Sequence, residues 1–398
     1  MRRRTRRLIA NLTFFCVALC LLVYLNYHQS TNKTFAWTTI RYKTTAATLP
    51  EARGICPGLA GSTKPALVVA RIAADDSKWL DTLADLYHLC VYTADAPCDT
   101  TSTHLQVPAN RGHEAMAYLT FLIDNYAHIP AAGAVFVHGS RWAWHNDEPN
   151  YDNAALLAVL NVSAALAPLG YHNLRCDWSA SMCSPSEALP QGSVETSARA
   201  LLEPRNIRAA SDAALPHALA ALFGGDGSAP MLDSVTDQHP LAKGSGARLL
   251  LGRTDTVRAQ CCAQFVVARD RVWQHSRDEY VALRQWLLDG SSDFTDKQSQ
   301  RHRGNAAPPD DRIAGRILSY VWHILFMRHG ESNTQNSFPG AVDLEQLNAL
   351  ACPHANECYC RLYGRCNLEG CTTPGHCRGQ YRSPPNFRLP DDWAARHS

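Results

Sequence analysis

The chain has 398 residues, 38 of them Lys or Arg against 36 Asp or Glu, for a net charge of +2 with 15 cysteines. Arg2, Arg3, Arg4, Arg6 and Arg7 crowd the first positions, so the remainder carries 33 basic against 36 acidic residues. A slightly acidic body offers no basic face to a polyanion, which excludes nucleic acid as a partner, and the length allows one large domain with appendages.

Behind the arginines lies an apolar run over residues 8–25, interrupted only by Asn11 and Thr13. As a helix it would reach roughly 27 Å, close to the thickness of a bilayer's hydrocarbon core. The basic flank keeps its amino end in the cytosol. A cleaved signal peptide would have a shorter core ending in small-x-small, whereas this chain reads Leu25-Asn26-Tyr27-His28-Gln29. The expectation is an uncleaved signal anchor over residues 8–27, a cytosolic tail over 1–7, and a single-pass type II membrane protein of the secretory pathway, in the Golgi or endoplasmic reticulum. Sequons at Asn32-Lys33-Thr34 and Asn161-Val162-Ser163 fit a luminal glycoprotein. Thirteen cysteines follow the anchor, where disulfides form. An odd count leaves at least one free, metal-bound or paired between chains.

Residues 28–63 are rich in threonine (Thr31, Thr34, Thr38, Thr39, Thr44, Thr45, Thr48) and lack apolar periodicity, which predicts a flexible stem open to O-glycosylation. An ordered domain is expected over 64–330. Ala66-Leu67-Val68-Val69-Ala70 suits a strand covered on both faces. Asp75 and Asp76 follow, then an amphipathic segment carrying Trp79, Leu80, Leu83 and Leu86. His88-Leu89-Cys90-Val91-Tyr92 reads as a second strand. Asn110 is placed to cap a helix running from Arg111 to about Ala127, with Ala115, Leu119, Leu122 and Tyr126 on one face. Ala134-Val135-Phe136-Val137 reads as a third strand. The alternation predicts an α/β fold with a mainly parallel open sheet.

Over residues 179–246 the pattern fades into Ala, Pro, Gly and Ser, read as surface excursions and short helices, with a local Cys176–Cys183 disulfide. A strand is expected over 260–268. It contains Cys261-Cys262, a buried pair or the halves of two separate disulfides. Ser276-Arg277-Asp278-Glu279 reads as a capping box opening a helix through Trp286 and Leu287. A last helix spans about 311–327, with Ile313, Ile317, Val321 and Ile324 on its apolar face. Cys352, Cys358, Cys360, Cys366, Cys371 and Cys377 fall within 26 residues, predicting a small disulfide-stapled module over 340–380 before a tail at 381–398. A zinc knuckle using His354 and His376 is the rival that a luminal location disfavours.

Several groups could carry chemistry. The string Ile324-Leu325-Phe326-Met327-Arg328-His329-Gly330-Glu331 resembles the histidine phosphatase signature. That family sets the motif on the first strand of its domain, whereas the residues leading in here have helical spacing. At the end of the third strand stands His138-Gly139-Ser140-Arg141-Trp142-Ala143-Trp144-His145-Asn146-Asp147. Carboxyl ends of strands in open α/β sheets are where ligands bind, and so many rings and charges in ten residues exceed what packing asks for. The alternative is a loop whose tryptophans plug the domain edge. In Val107-Pro108-Ala109-Asn110-Arg111-Gly112-His113-Glu114, a helix amino terminus with Arg111 and Gly112 could receive a phosphate on backbone N–H groups, or be an ordinary capped helix start. Asp75-Asp76 reads as a simple helix cap, and Trp322 and His323 as core.

Four blocks resemble an uncharacterised, mainly fungal family of membrane-anchored proteins (domain of unknown function 3431). They are Val68-Val69-Ala70-Arg71 through Trp79-Leu80, the stretch 110–126, Cys261-Cys262-Ala263-Gln264-Phe265 through Trp286-Leu287, and Trp322-His323-Ile324-Leu325-Phe326. The chain departs from the usual pattern at His113, where arginine is usual. In order of elements that family looks like glycosyltransferases of the A-type fold. The resemblance implies a luminal enzyme moving a sugar from a nucleotide sugar to a glycan or glycoprotein acceptor. Arg71, Asp76, Asn110, Gly112 and Trp144 would bind the nucleotide sugar. Asp147 or His145 would deprotonate the acceptor hydroxyl, and Arg141 would neutralise the departing phosphate. His138 stands where many such enzymes carry Asp-x-Asp for a divalent metal. No Asp-x-Asp occurs in this chain, so no metal is assigned unless His138, His145 and Asp147 replace it. The second reading is a non-catalytic luminal protein that binds glycans or another protein.

Overall fold

Short apolar runs separated by amphipathic segments give strands buried on both faces and helices with one buried stripe. In the computed structural model, which describes residues 3–27, 34–44, 46, 48–96, 104–224, 249–291, 305–327 and 341–381, these become strands β1 (Thr34–Phe35), β2 (Ala66–Arg71), β3 (His88–Thr93), β4 (Leu105–Gln106), β5 (Ala134–His138), β6 (Tyr171–Asn173), β7 (Phe265–Val267), β8 (Val342–Asp343), β9 (Glu369–Thr373) and β10 (His376–Arg378). The main sheet has the order β4-β3-β2-β5-β7-β6. β2 pairs in parallel with β3 and β5, and β3 with β4. β7 runs antiparallel to both of its neighbours.

Each face of the sheet is covered, as the continuous apolar run of β2 requires. On one side Val68, Phe136 and Phe265 meet Phe121, Trp286 and Trp322 from the helices Glu114–Asp124, Arg277–Asp289 and Asp311–Phe326. On the other, Leu67, Val69, Val135 and Val137 meet Trp79, Leu156, Leu157 and Tyr359. The capping box at Ser276 and Glu279 forms as expected. At the amino terminus, the helix Arg3–Tyr27 contains a segment, Arg6–Tyr24, that is long and apolar enough to cross a membrane.

The threonine-rich segment is not a free stem. Phe35 and Trp37 are fully buried and stack with ring centroids 4.2 Å apart, and β1 pairs with β8. The Ile40 N–H donates to Glu279 at 2.9 Å and the Tyr42 hydroxyl to Asp289 at 2.7 Å. Further on, Cys56 is bonded to Cys90 of β3. Threonine count concealed three aromatic side chains whose burial ties the segment to the domain.

The cysteine-rich end is likewise not a separate module. Cys176 pairs with Cys358 and Cys183 with Cys352, in place of the expected Cys176–Cys183 bond, while Cys360–Cys366 and Cys371–Cys377 are local. The helix Ala355–Tyr363 buries Ala355, Cys358, Tyr359 and Leu362 against the sheet, which brings its thiols to the main domain. With every one of these sulfurs in a disulfide, no thiolate remains for a zinc knuckle. Cys98 and the sequon residue Asn32 lie outside the described residues, whereas Asn161 is exposed and caps the helix Val162–Leu166. The apolar lead-in to the phosphatase-like string is helix to Phe326, not a strand, and Arg328, His329 and Gly330 lie outside the described residues.

Candidate functional site

After β2 the chain lays down β3 and β4 on one side, then returns to place β5 on the other. At such a reversal the connections leave in opposite directions and open a crevice at the carboxyl ends of the two strands. Here those ends are Arg71 and His138, the latter in register with Ala70. Glycine is required just beyond: a β-carbon on Gly139 would come within 2.6 Å of Arg71 Cα and 2.9 Å of the Asp75 carboxylate. The Gly139 N–H donates to the Ala70 carbonyl at 2.6 Å, and the Trp79 indole N–H donates to the Gly139 carbonyl at 3.3 Å.

The loop after β2 is closed by one carboxylate of its own and one that follows β3. Asp75 accepts the Ile72 N–H at 3.0 Å and Asp95 the Ala73 N–H at 2.7 Å. The Arg71 guanidinium donates to Ser77 Oγ at 2.9 Å. Asp76 is exposed and accepts the Lys78 N–H at 3.0 Å.

Around His138 four segments meet. A carbonyl only accepts, so the 2.7 Å contact of His138 Nε2 with the Cys262 carbonyl places a proton on Nε2. Nδ1 then lies 3.9 Å from the Glu114 carboxylate, too long for a hydrogen bond but close enough for charge to act. The His145 ring sits against it, centroids 4.7 Å apart, with Trp144 at 5.4 Å from His145. Buried Gln264 joins the pieces: its carbonyl oxygen accepts from the His138 N–H at 3.4 Å and from Asn153 at 3.1 Å, while its amide donates to Asn146 at 3.0 Å. Trp142 and Trp144 remain 38% and 50% exposed.

Two residues expected in catalysis are engaged by partners within the fold. Asp147 is 1% exposed and accepts from the Cys176 and Asp177 N–H groups at 2.6 and 3.2 Å, from the Tyr359 hydroxyl at 2.8 Å and from the Tyr381 hydroxyl. Such a carboxylate has no lone pair facing a substrate. Arg141 is held by Asp152 in a two-pronged pair at 2.9 and 2.7 Å, the fork geometry that carboxylates favour.

The helix start at residues 110–114 differs too. The helix begins at Glu114 behind His113, whose φ is 52°, and Asn110 is exposed without capping it. Arg111 is drawn inside, donating to Asp311 at 3.0 Å and to the carbonyls of Leu287, Pro308, Pro309 and Gly290. The Gly112 N–H donates to the same Asp311 carboxylate, so it is not available to a phosphate. Nor does the strand expected over 260–268 begin before Phe265. Cys261 and Cys262 are bonded to each other in a turn, with Cys262 and Ala263 at φ 84° and 46°.

Sequence reasoning therefore placed His138, His145, Trp144 and Arg71 at one end of the sheet, but gave Glu114 and Gln264 no role although both stand in strings it singled out. The specific CCAQF block was the available signal for Gln264. Among the described residues, the one group of ligand-type side chains close enough for a metal is Cys56, His88 and Cys90, whose two sulfurs share a disulfide.

A family model described as "Protein of unknown function (DUF3431)" matches residues 67–361. No curated protein and no solved structure matches the chain.

Proposed function

From the premise that this chain belongs to the DUF3431 family of proteins of unknown function, we propose that it is a type II membrane protein of the Golgi or endoplasmic reticulum whose luminal domain transfers a sugar from a nucleotide sugar. The observation that carries this reading is the convergence of Glu114, His138 and His145 at the carboxyl end of β5, beside that of β2, where the sheet order reverses. Its parallel strands, with one reversed strand ahead of the last, support the likeness to A-type glycosyltransferases in order of elements.

The roles follow from which groups are still available. Arg71 and Asp76 lie on the nucleotide side. With Asp147 and Arg141 committed to the scaffold, His138 takes the acceptor proton. The hydroxyl proton passes to Nδ1, the acceptor oxygen bonds to the anomeric carbon, and that carbon's bond to phosphate oxygen breaks, releasing a nucleoside diphosphate. Glu114, beside Nδ1, offsets the charge of the imidazolium formed. Exposed Trp144 offers a face for stacking a sugar ring of the acceptor.

A thermal-shift titration of the full chain in nanodiscs against nucleotide sugars, with and without manganese, tests this. A donor at a hundredfold its dissociation constant would stabilise by about 2.7 kcal/mol. No shift with any donor moves the assignment to the second reading, glycan binding without catalysis, which the exposure of Trp142 and Trp144 favours.

A further inference from the structure

The bonded pair Cys261–Cys262 touches the crevice through its backbone rather than its sulfurs. The Cys262 carbonyl receives the His138 Nε2 proton at 2.7 Å, and the Cys261 carbonyl receives the Asn173 side-chain amide at 3.3 Å. The two residues that follow the S–S link's first member, Cys262 and Ala263, both have positive φ, a region that side chains with a β-carbon rarely adopt. Nothing bulky or glycine-like in the sequence favours that backbone, whereas a bond between adjacent cysteines restricts the peptide between them. Gln264, the next residue, then holds the His138 backbone N–H and the Asn146 side chain. One short turn thus fixes both the backbone and the ring of His138.

We propose that the Cys261–Cys262 ring is the positioning element of His138, holding the proton on Nε2 and leaving Nδ1 as the proton-accepting atom beside Glu114. This rests on the role proposed for His138 above, but its physical content, a fixed tautomer, is measurable without any sugar donor. A neutral imidazole exchanges its proton between the two nitrogens freely in water; a carbonyl aimed at one of them selects it. Opening the ring frees residues 261–263 to relax from positive φ. The carbonyl then moves off, and either nitrogen can present its lone pair.

The test is carbethoxylation of histidines in the full chain in nanodiscs, read peptide by peptide by mass spectrometry. In the native chain His138 offers one nitrogen, flanked by Glu114 and His145, and reacts slowly. In a C261A/C262A variant its reaction should accelerate roughly fivefold, the factor that one net hydrogen bond of about 1 kcal/mol represents. Buried His275, held by the Leu325 carbonyl and Glu279 on another part of the fold, should keep its rate and so report that the fold is intact. Should that variant fail to fold, the native chain is titrated with a phosphine, and His138 reactivity is plotted against the opened fraction of the Cys261–Cys262 peptide in the same digests. Acceleration that tracks opening supports the proposal. An unchanged His138 rate, or peptide maps showing Cys261 and Cys262 bonded to other cysteines, overturns it. Loss of nucleotide-sugar binding with the His138 response intact would instead overturn only the proposed function.

Discussion

Asp147→Ala is the substitution that best separates a scaffold carboxylate from a catalytic one. The carboxylate takes two backbone N–H groups and two phenols. Burial, then the negative charge of Asp147, pushes both Tyr359 and Tyr381 far above the ordinary phenol value, so both remain donors throughout the accessible pH range. Removing the acceptor leaves four donors without it around a carboxylate position that is 1% exposed. At about 1 kcal/mol of net stabilisation per bond the loss is about 4 kcal/mol, and stranded backbone N–H groups can add to it. For a domain of this size that corresponds to a fall in Tm of roughly 10 °C. Asp147→Asn, which keeps one acceptor oxygen, should lose about half as much. The assay is thermal and urea unfolding of the full chain in detergent, alongside donor binding at a temperature where the variant is folded. The reasoning fails if Asp147→Ala unfolds like the native chain while binding or turnover disappears.

Four further outcomes follow from the same structure. Trp37→Ala should destabilise by about 3–5 kcal/mol, as for other fully buried aromatics, whereas a free stem would tolerate it without change in unfolding. Burial pushes the Asp177 carboxyl up, but hydrogen bonds from His376, Ser179 and Gln380 outweigh it and hold it at about 2. A depressed carboxyl contributes stability above its unfolded value near 4 that is lost as pH falls towards 2. Asp177→Asn should therefore flatten the acid limb of a Tm–pH curve between those values. In a double-mutant cycle, Arg141→Ala and Asp152→Ala should couple by about 1 kcal/mol, because the pair is bidentate yet partly exposed. Peptide mapping without reduction should recover Cys176–Cys358 and Cys183–Cys352. A Cys176–Cys183 peptide would contradict the packing of the helix Ala355–Tyr363.

What the sequence disclosed depended on periodicity and local chemistry. Ala66 to Ala70 announces a two-faced strand by itself, and Ser276 with Glu279 announces a helix start, because both signals are complete within a few residues. The burial of Phe35 and Trp37 was hidden because their partners, Phe223 and Val342, lie far along the chain. The same holds for the disulfides of Cys352 and Cys358, whose spacing suggested neighbours while helix packing chose distant partners. At the site, strand ends were legible from the strands, and so His138 and Arg71 were placed. Whether a polar side chain faced ligand or scaffold was not. Asp147, Arg141 and Gly112 each find a partner, namely Tyr359, Asp152 and Asp311, that no local pattern identifies.

The most direct measurement is hydrogen exchange of the full chain in nanodiscs, read by mass spectrometry with and without a saturating nucleotide sugar. The account predicts slowed exchange in peptides covering residues 71–77, 138–145 and 261–264, and its loss in Arg71→Ala. Unchanged exchange in those three segments with every donor, or protection confined to the opposite edge of the sheet, would contradict it.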